Sequence, residues 1–313
     1  MKFELKILGS NAAIPSHGRK PSAQIFNKDD RLYLIDCGEG TQTQIDTLGV
    51  KKSKIRQIFI SHMHGDHIFG LPGLLTSYAL LGRDRPLELF APSGMKEWME
   101  ACLTYSYSHL PYELKINIVD PNIYQLIYED QHVEVFTIPL NHRVPACGYL
   151  FREKKQLPKI LASQIERYNI PIPEIRKIKK EGADFTDEAG NVIPNSELTL
   201  PPPLPRSFAY CTDTAYSTDI VPLIKDVDLL FHEATYMESE VEQTIFSKHS
   251  TSIQAANIAK AANVKQLIIG HFSSRYKNLQ PLLEEAQSVF PNTRLALEGA
   301  IFKVERRQAA IEV

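Results

Sequence analysis

The sequence predicts an α/β protein, a four-layer αβ/βα sandwich in which two mostly β layers pack face to face beneath outer helices. Two observations predict this fold. Each half of the chain begins with paired strand patterns and continues as alternating strands and helices. Ligand-type side chains also stand where apolar strand patterns end, which is where binding sites form in α/β sheets. We therefore predict one domain spanning residues 1–313, with ample chain for a core.

The strand and helix patterns can be placed in order along the chain. Runs of strand length occur at about 3–8, 23–28, 32–36, 56–60, 87–91, 115–119, 124–128, 133–138 and 147–151. They resume at about 207–211, 228–232, 266–270, 294–297 and 301–305. Helical periodicity is found at about 41–48, 70–81, 94–106, 218–224, 251–262 and 279–289.

Composition excludes several classes of protein. The formal net charge is -2, so any contact with nucleic acid requires a local basic patch. Four widely spaced cysteines without a CxxC pair predict reduced thiols in a cytoplasmic protein. Charged and apolar residues alternate over residues 1–8, a pattern that does not resemble a signal peptide. No run reaches the roughly 18 apolar residues of a membrane helix.

Residues 152–200 differ from the rest of the chain. They show no sheet pattern, and residues 152–181 carry nine Lys/Arg against four Glu. The prolines predict an extended stretch at 170–173, after a short helix within 157–168. We interpret 152–200 as an inserted, projecting basic arm that binds nucleic acid through residues such as Lys177, Lys179 and Lys180. The alternative is a solvated loop without function.

The segment SHMHGDH at residues 61–67 is the strongest chemical signal. It follows the apolar run 58–60 and precedes a helical pattern, so it lies where a strand ends and a helix begins. Three imidazoles and a carboxylate within six residues are the ligands that zinc prefers, although manganese or iron can replace it. A histidine-rich surface loop is the alternative interpretation.

Further ligand types share this strand-end position. His142, Asp213 and His271 each stand at or just after an apolar strand pattern. With Asp213 bridging, seven side chains give two metal ions four protein bonds each. One predicted set is His62, His64, His142 and Asp213, and the other is Asp66, His67, Asp213 and His271. Asp36 precedes two glycines, so we expect it to fix that turn and the histidine loop by hydrogen bonds.

These residues resemble the HxHxDH signature of metallo-β-lactamase-fold hydrolases. Within that superfamily the chain is most similar to the ribonuclease Z family, through the motifs GDH at 65–67, GLPGLL at 70–75, HEAT at 232–235, KHST at 248–251 and GHFSSRY at 270–276. The resemblance implies a metallo-β-lactamase sandwich and a zinc-dependent endoribonuclease that removes 3′ trailers from precursor tRNA. It also implies a homodimer, with two Zn²⁺ per subunit and the arm as the tRNA-binding exosite.

The sequence departs from the family pattern in two places. The arm lacks a Gly-Pro pair often found there, and residues 15–20 read PSHGRK instead of PxKxRN. Neither departure touches the predicted metal ligands.

The resemblance implies the role of Asp66 in catalysis, and the chemistry of the site predicts the roles of the other residues. Asp66 binds metal and accepts a proton from the attacking water, while His249, oriented by Glu233, protonates the leaving ribose 3′ oxygen. Arg275 and Ser273 are predicted to hold a substrate phosphate. The alternatives are that His249 caps the helix at 251–262 and that Arg275 forms a surface ion pair.

Two other functions are compatible with parts of this pattern. A small-molecule phosphodiesterase or arylsulfatase of the same fold needs the metal site but not the arm. A non-enzymatic RNA-binding protein needs the arm but not a complete ligand set, and no ligand is missing here.

Overall fold

The computed structural model describes residues 1–307, and residues 308–313 of the predicted domain lie outside the described part. The first strands along the chain are Phe3–Gly9 (β1), Ala23–Lys28 (β2), Arg31–Ile35 (β3), Ile55–Phe59 (β4), Leu87–Ala91 (β5) and Leu114–Ile118 (β6). The helices among them are Thr41–Thr47 (α1), Gly65–Ile68 (α2), Leu71–Leu80 (α3) and Met95–Tyr105 (α4). Next come Leu126–Glu129 (β7), Val133–Pro139 (β8) and Cys147–Glu153 (β9).

Short elements follow in the segment predicted as an arm. They are Lys159–Ile160 (β10), Ala162–Arg167 (α5), Ile172–Glu181 (α6), Phe185–Thr186 (β11), Val192–Ile193 (β12), Asn195–Leu198 (α7) and Thr199–Leu200 (β13). The remaining elements are Ser207–Cys211 (β14), Leu229–Glu233 (β15), Val241–Ser247 (α8), Ser252–Ala261 (α9), Gln266–Gly270 (β16), Gln280–Val289 (α10), Thr293–Leu295 (β17) and Ile301–Lys303 (β18).

Two seven-stranded sheets form the larger unit, residues 1–152 and 207–304. The first has the order β18-β1-β2-β3-β4-β5-β6, and the second β17-β16-β15-β14-β9-β8-β7. Strands β3 to β6 run parallel in the first sheet, as do β14 to β17 in the second. The carboxyl ends of these parallel strands form the edges at which ligand-type side chains collect.

Three hydrophobic clusters hold this unit together. One lies between the sheets and is rich in aromatic rings, among them Phe26, Phe59 and Phe208. The other two lie between each sheet and its own helices. This is the predicted four-layer sandwich, and the strand positions predicted from the sequence are confirmed to within a few residues.

Residues 153–206, together with residues 305–307, form a second compact unit. It has a small core of its own, built from Ile170, Ile178, Phe185, Ile193 and Leu198. A buried ion pair joins its ends, because Arg206 Nε donates to Glu153 Oε2 over 2.9 Å and Nη2 donates to Oε1 over 3.1 Å. The exposed charges that suggested an arm therefore surround a folded unit.

Three sequence predictions about local structure are wrong. The stretch 170–173 is not extended throughout, because helix α6 begins at Ile172 with Pro173 in its first turn, where a missing amide proton costs little. Two-stranded ladders, β10–β13 and β11–β12, exist where no sheet was predicted. The predicted helix at 218–224 is only a 3₁₀ turn over Thr218–Ile220. Within residues 1–307, no helix has the length and apolarity to span a bilayer.

Phe59 tests the packing between the sheets. Its ring is fully buried and contacts Phe90, Tyr149 and Phe151. We expect Phe59→Ala to lower the free energy of unfolding by about 3–5 kcal/mol in urea titrations, because a cavity replaces the ring. The control Leu80→Ala, whose side chain is 88% exposed, should change it by less than about 0.5 kcal/mol. Equal effects would contradict this packing.

Candidate metal centre

The strand ends bring the predicted ligands to one place. β4 ends at Phe59, the chain turns through His62 and His64, and α2 presents Asp66 and His67 in its first turn. Three residues that follow other strands have positive φ values: Asp36 (55°), Asp213 (39°) and His271 (58°). Such a conformation is uncommon outside glycine and clusters at functional sites, since surrounding contacts must hold it.

Asp36 provides those contacts. Its Oδ1 accepts the Ser61 amide over 2.8 Å, and its Oδ2 accepts the hydroxyls of Ser61 (2.9 Å) and Tyr210 (2.8 Å) and Nδ1–H of His67 (2.7 Å). The carboxylate is fully buried. The prediction that Asp36 fixes the histidine loop by hydrogen bonds is therefore confirmed.

The first predicted ligand set forms a tight group. His64 Nδ1 lies 3.0 Å from His62 Nε2 and 3.3 Å from His142 Nε2. Asp213 Oδ2 is 3.6 Å from His62 Nε2 and 3.8 Å from His142 Nε2. All four donor atoms lie within 4.8 Å of one another.

The second set forms beside it around the other oxygen of the same aspartate. Asp213 Oδ1 lies 3.2 Å from His271 Nε2 and 3.3 Å from His67 Nε2. Asp66 Oδ2 is 3.5 Å from both of these nitrogens. The two oxygens of Asp213 therefore face different groups, the arrangement expected of a bridging carboxylate.

Hydrogen bonds fix the orientation of four imidazole rings. The Nδ1–H groups face acceptors: Ser61 Oγ for His62 (3.0 Å), Asp36 Oδ2 for His67 (2.7 Å), the Lys248 carbonyl for His142 (3.1 Å) and Thr235 Oγ1 for His271 (3.0 Å). Because each Nδ1 carries the proton, each Nε2 turns a lone pair toward the centre. This is the outer hydrogen bonding typical of metal-bound histidines.

The arrangement fits divalent metal. Nε2 of His67 and of His271 are buried and make no hydrogen bond within residues 1–307. Lone pairs of nitrogen and carboxylate oxygen face one another, which is repulsive unless a cation lies between them. Donors around a tetrahedral zinc ion with bonds of 2.0–2.1 Å lie about 3.3 Å apart, and the donor distances given above are 3.0–3.8 Å. The cluster is therefore compatible with a metal site.

The pKa values of the ligand histidines are also compatible with bound metal. Burial lowers the pKa of His62, His64 and His142, so these rings are neutral and able to bind metal. Burial also opposes protonation of His67, but Asp213, Asp36 and Asp66 raise its pKa well above the usual value. The clustered carboxylates therefore stabilise a positive charge, such as that of a metal ion, in the second group.

Glu233 links His249 to this centre. Its buried carboxylate accepts Nδ1–H of His249 over 2.8 Å and the Thr235 hydroxyl over 2.6 Å, and Thr235 in turn faces His271. Burial lowers the pKa of His249, but Glu233 outweighs it and raises the pKa to about 9. The imidazole is therefore protonated at neutral pH. His249 does not cap α9, because Thr251 and Gln254 form that cap.

The backbone of an early loop holds Asp66. The Ala13 amide donates to Asp66 Oδ2 over 2.8 Å, and Ala13 has a positive φ of 59°. Asn11 fixes the loop: its Nδ2 donates to the Ile14 carbonyl (2.6 Å), and its Oδ1 accepts Arg19 Nε–H (2.9 Å). No sequence motif pointed to the Ala13 amide, because a backbone donor carries no side-chain signal. Thr235 ends the HEAT motif at 232–235, but the motif alone did not predict a role for its hydroxyl.

The predicted substrate-binding residues lie outside the cluster. Arg275 forms an ion pair with Glu240, and its guanidinium lies 5.2 Å from the centroid of the Tyr236 ring. Ser273 lies two residues beyond His271. Lys177, Lys179 and Lys180 lie on α6 of the second unit, where Lys177 pairs with Glu174 over 2.8 Å.

Comparison with known proteins gives consistent similarities. The chain is 44% identical over 297 residues to ribonuclease Z of Parabacteroides distasonis, covering 95% of this chain and 97% of that protein. It is 45% identical over 296 residues to ribonuclease Z of Porphyromonas gingivalis, with coverage of 95% and 97%. The crystal structure of human tRNase Z, short form, superposes with a TM-score of 0.68 at 25% identity, over 96% of this chain and 98% of that one. Residues 3–132 also match the family model described as anti-Pycsar protein Apyc1.

Asp36 tests the hydrogen bonding that orients the centre. Asp36→Ala leaves Ser61, Tyr210 and His67 donors without their shared acceptor, so we expect about 3–5 kcal/mol lower stability in chemical denaturation. Zinc affinity in a chelator competition should fall about 10–100-fold. The control Asp46→Ala removes an exposed carboxylate paired with Lys52 and should change stability by less than about 1 kcal/mol. Unchanged zinc affinity in Asp36→Ala would contradict this role.

Proposed function

This chain belongs to the ribonuclease Z family and is a metal-dependent tRNA 3′-processing endoribonuclease, and we propose that it works with two zinc ions per subunit held by the seven-residue cluster. The substrate is precursor tRNA, cut to leave a 3′-hydroxyl on the tRNA and a 5′-phosphate on the trailer. The small-molecule alternatives are less well supported, since ribonucleases Z match nearly the whole chain at 42–45% identity.

One observation carries the metal proposal. The seven side chains fall into a group of four (His62, His64, His142 and Asp213) and a group of three (Asp66, His67 and His271). The second oxygen of Asp213 joins the groups, since it lies 3.2 Å from His271 Nε2 and 3.3 Å from His67 Nε2. When bound, two zinc ions lower the pKa of a water molecule and neutralise phosphate oxygens, so that water can attack phosphorus directly. The residues themselves orient the reactants and move the protons.

Asp66 is the proposed proton acceptor. Its Oδ2 is engaged by the Ala13 amide and faces His67 and His271. We assign Oδ1 to accept the proton of the attacking water. Water can reach this residue, because its side chain is 11% exposed.

His249 is the proposed general acid. A leaving ribose 3′ oxygen needs a proton, and the imidazolium that Glu233 stabilises can supply it. The ring stacks against His271, with centroids 5.2 Å apart, so the proton is close to the reacting groups. Glu233 is a positioning residue, because it acts through His249.

Ser273 and Arg275 are proposed to contact a substrate phosphate. Arg275 lies over the Tyr236 ring, whose centroid is 6.4 Å from that of His249. Tyr236 therefore connects the Arg275 guanidinium to the proposed acid, His249. The Arg275 guanidinium forms an ion pair with Glu240. To bind a substrate phosphate, Arg275 must exchange the Glu240 carboxylate for that phosphate.

The second unit is the proposed tRNA exosite, with Lys177, Lys179 and Lys180 contacting the phosphate backbone. The acceptor and T stems of tRNA stack into a long rod, so its elbow lies far from the scissile bond. We therefore propose a homodimer in which the arm of one subunit holds the tRNA cut by its partner. Four free cysteines support a reducing, cytoplasmic location.

Metal content tests the ligand assignment. We expect two zinc ions per chain by native mass spectrometry of zinc-loaded protein. His142→Ala and His271→Ala should each retain one ion, and Asp213→Ala should retain neither firmly, because its two oxygens serve both groups. The control His109→Ala, an exposed histidine outside the cluster, should retain two. Equal zinc content in all four variants would contradict the assignment.

The pH dependence of cleavage tests the acid. Protonated His249 is the active form, so log kcat should fall as pH rises through a pKa of about 9. In Glu233→Gln the carboxylate charge that raises this pKa is lost, and the alkaline limb should move to lower pH. His249→Ala should remove the limb and lower kcat by about 10²–10⁴-fold. An unmoved limb in Glu233→Gln, with melting unchanged, would exclude this pairing.

Charge removal tests the exosite. We expect the triple variant Lys177→Gln, Lys179→Gln and Lys180→Gln to raise KM for precursor tRNA at least about tenfold, because several phosphate contacts are lost. Hydrolysis of bis(p-nitrophenyl) phosphate, which cannot reach the arm, should be unchanged. The control variant Lys225→Gln, Lys260→Gln and Lys265→Gln removes three exposed charges elsewhere and should leave KM unchanged.

Mixing variants tests action between subunits. The triple lysine variant and Asp66→Ala are each expected to be poor on precursor tRNA. After subunit exchange, a mixed dimer pairs an intact arm with an intact centre on opposite subunits, so activity should reappear. No recovery from a mixture that light scattering shows to be dimeric would refute the arrangement.

A further inference from the structure

A second basic site lies in the first sheet, away from the metal centre. A cavity of about 770 Å³ opens at the surface there. We call it the distal basic cavity, and its cationic lining consists of Arg31, Lys52, Lys54, Arg56, Arg83 and Arg85. Three aspartates, Asp29, Asp30 and Asp84, also line it. The lining therefore carries more positive than negative charge, in a chain whose net charge is -2.

The cavity lies at the opposite end of the strands from the metal centre. Arg31 is the first residue of β3, Arg56 is the second residue of β4, and Arg85 lies two residues before β5 begins. The metal-site residues Asp36 and His62 follow the carboxyl ends of β3 and β4. Five strand residues span about 17 Å, so the two sites are separate.

One wall of the cavity is a fixed arginine. Arg83 donates to the carbonyls of Ile55 (3.1 Å), Arg85 (2.8 Å) and Pro86 (2.9 Å). Its guanidinium also lies 4.9 Å from the centroid of the Tyr78 ring and 5.6 Å from that of Tyr112. These partners hold the side chain in place but are neutral, so its charge is not compensated by a carboxylate within residues 1–307.

The neighbouring arginines increase the imbalance. Arg31, Arg56 and Arg85 are exposed and form no ion pair in the described part of the chain. Two of the lining aspartates are already engaged, since Asp29 pairs with Lys28, and Asp30 with Lys2 (2.7 Å) and Lys54 (3.5 Å). Asp84 offsets one charge.

Repulsion among these guanidinium groups is a cost that an anion would relieve. Burial lowers the pKa of Arg83, Tyr78 and Tyr112 oppose this shift, and the nearby charges of Arg56 and Arg85 contribute to lowering the pKa. Two cations of the lining stand beside carboxylates, Lys52 with Asp46 and Lys54 with Asp30. The half-buried Arg83 instead shares the concave lining with Arg31, Arg56 and Arg85, which form no ion pair in the described part of the chain.

We propose that the distal basic cavity binds closely spaced phosphate groups, from an RNA backbone or from a free polyphosphate nucleotide. Guanidinium forks match phosphate oxygens in geometry and charge, and several arginines facing one cavity suit adjacent phosphates. The volume lies within the range of ligand sites, while the charged lining excludes an apolar ligand. This binding does not depend on the proposed metal mechanism.

Calorimetry and anisotropy test the proposal on the zinc-loaded, full-length protein. MgATP serves as the free polyphosphate and fluorescently labelled mature tRNA as the RNA. The test variant is Arg56→Gln with Arg85→Gln, and Arg83 is left intact because it supports the fold. The matched control is Lys96→Gln with Lys225→Gln, which removes two exposed charges elsewhere.

We expect affinity for at least one probe to fall about tenfold or more in the arginine variant and to be unchanged in the control. Loss of tRNA affinity, with the slope of log K against log salt reduced by about 1.4, identifies RNA as the source of the phosphates. Loss of MgATP affinity alone identifies a free polyphosphate. Bound MgATP at the metal centre would persist in both variants. Equal affinities of parent, test and control proteins for both probes would overturn the proposal.

Discussion

The buried Asp36 carboxylate is the interaction on which the site depends. Both sheets supply hydrogen-bond donors to it. Ser61 and His67 follow β4 of the first sheet, and Tyr210 lies on β14 of the second. An unpaired charge at this depth would be strongly unfavourable, so its four donors must all be in place. The hydrogen bonds to Asp36 therefore form only when the two sheets pack correctly and His67 is correctly oriented. The fold and the metal centre are coupled through one side chain.

Close backbone approaches explain several of the sequence motifs. A Cβ atom on Gly38 would lie 2.3 Å from the Asp66 carbonyl oxygen, and one on Gly70 would lie 2.2 Å from the Gly38 carbonyl oxygen. These glycines let the turn after β3 pack directly beneath helix α2, which carries Asp66 and His67. In the same turn, the Cys37 carbonyl accepts a hydrogen bond from the Gly70 amide over 2.9 Å. The glycines of the motif thus serve the placement of ligands and have no chemistry of their own.

Much of this could be predicted from the sequence, because strand patterns are local and ligands at strand ends meet at one sheet edge. The structure brings together all seven predicted ligand side chains, and their binding of metal stays a prediction. What could not be predicted depends on residues far apart in sequence. The Ala13 amide reaches Asp66 across 53 positions, and Thr235 reaches His271 across 36. Residues 153–206 fold around a few scattered apolar residues, so their charge and proline content concealed a small core.

The most direct test of the account is where this protein cuts a 3′-extended precursor tRNA. Zinc-loaded protein should cut once, immediately after the discriminator nucleotide, leaving a 3′-hydroxyl on the tRNA and a 5′-phosphate on the trailer. Asp66→Ala, with its fold verified by circular dichroism, should make no cut. Cleavage at scattered positions, or a cut that survives in Asp66→Ala, would contradict the claim that this centre is a specific tRNA 3′-processing site.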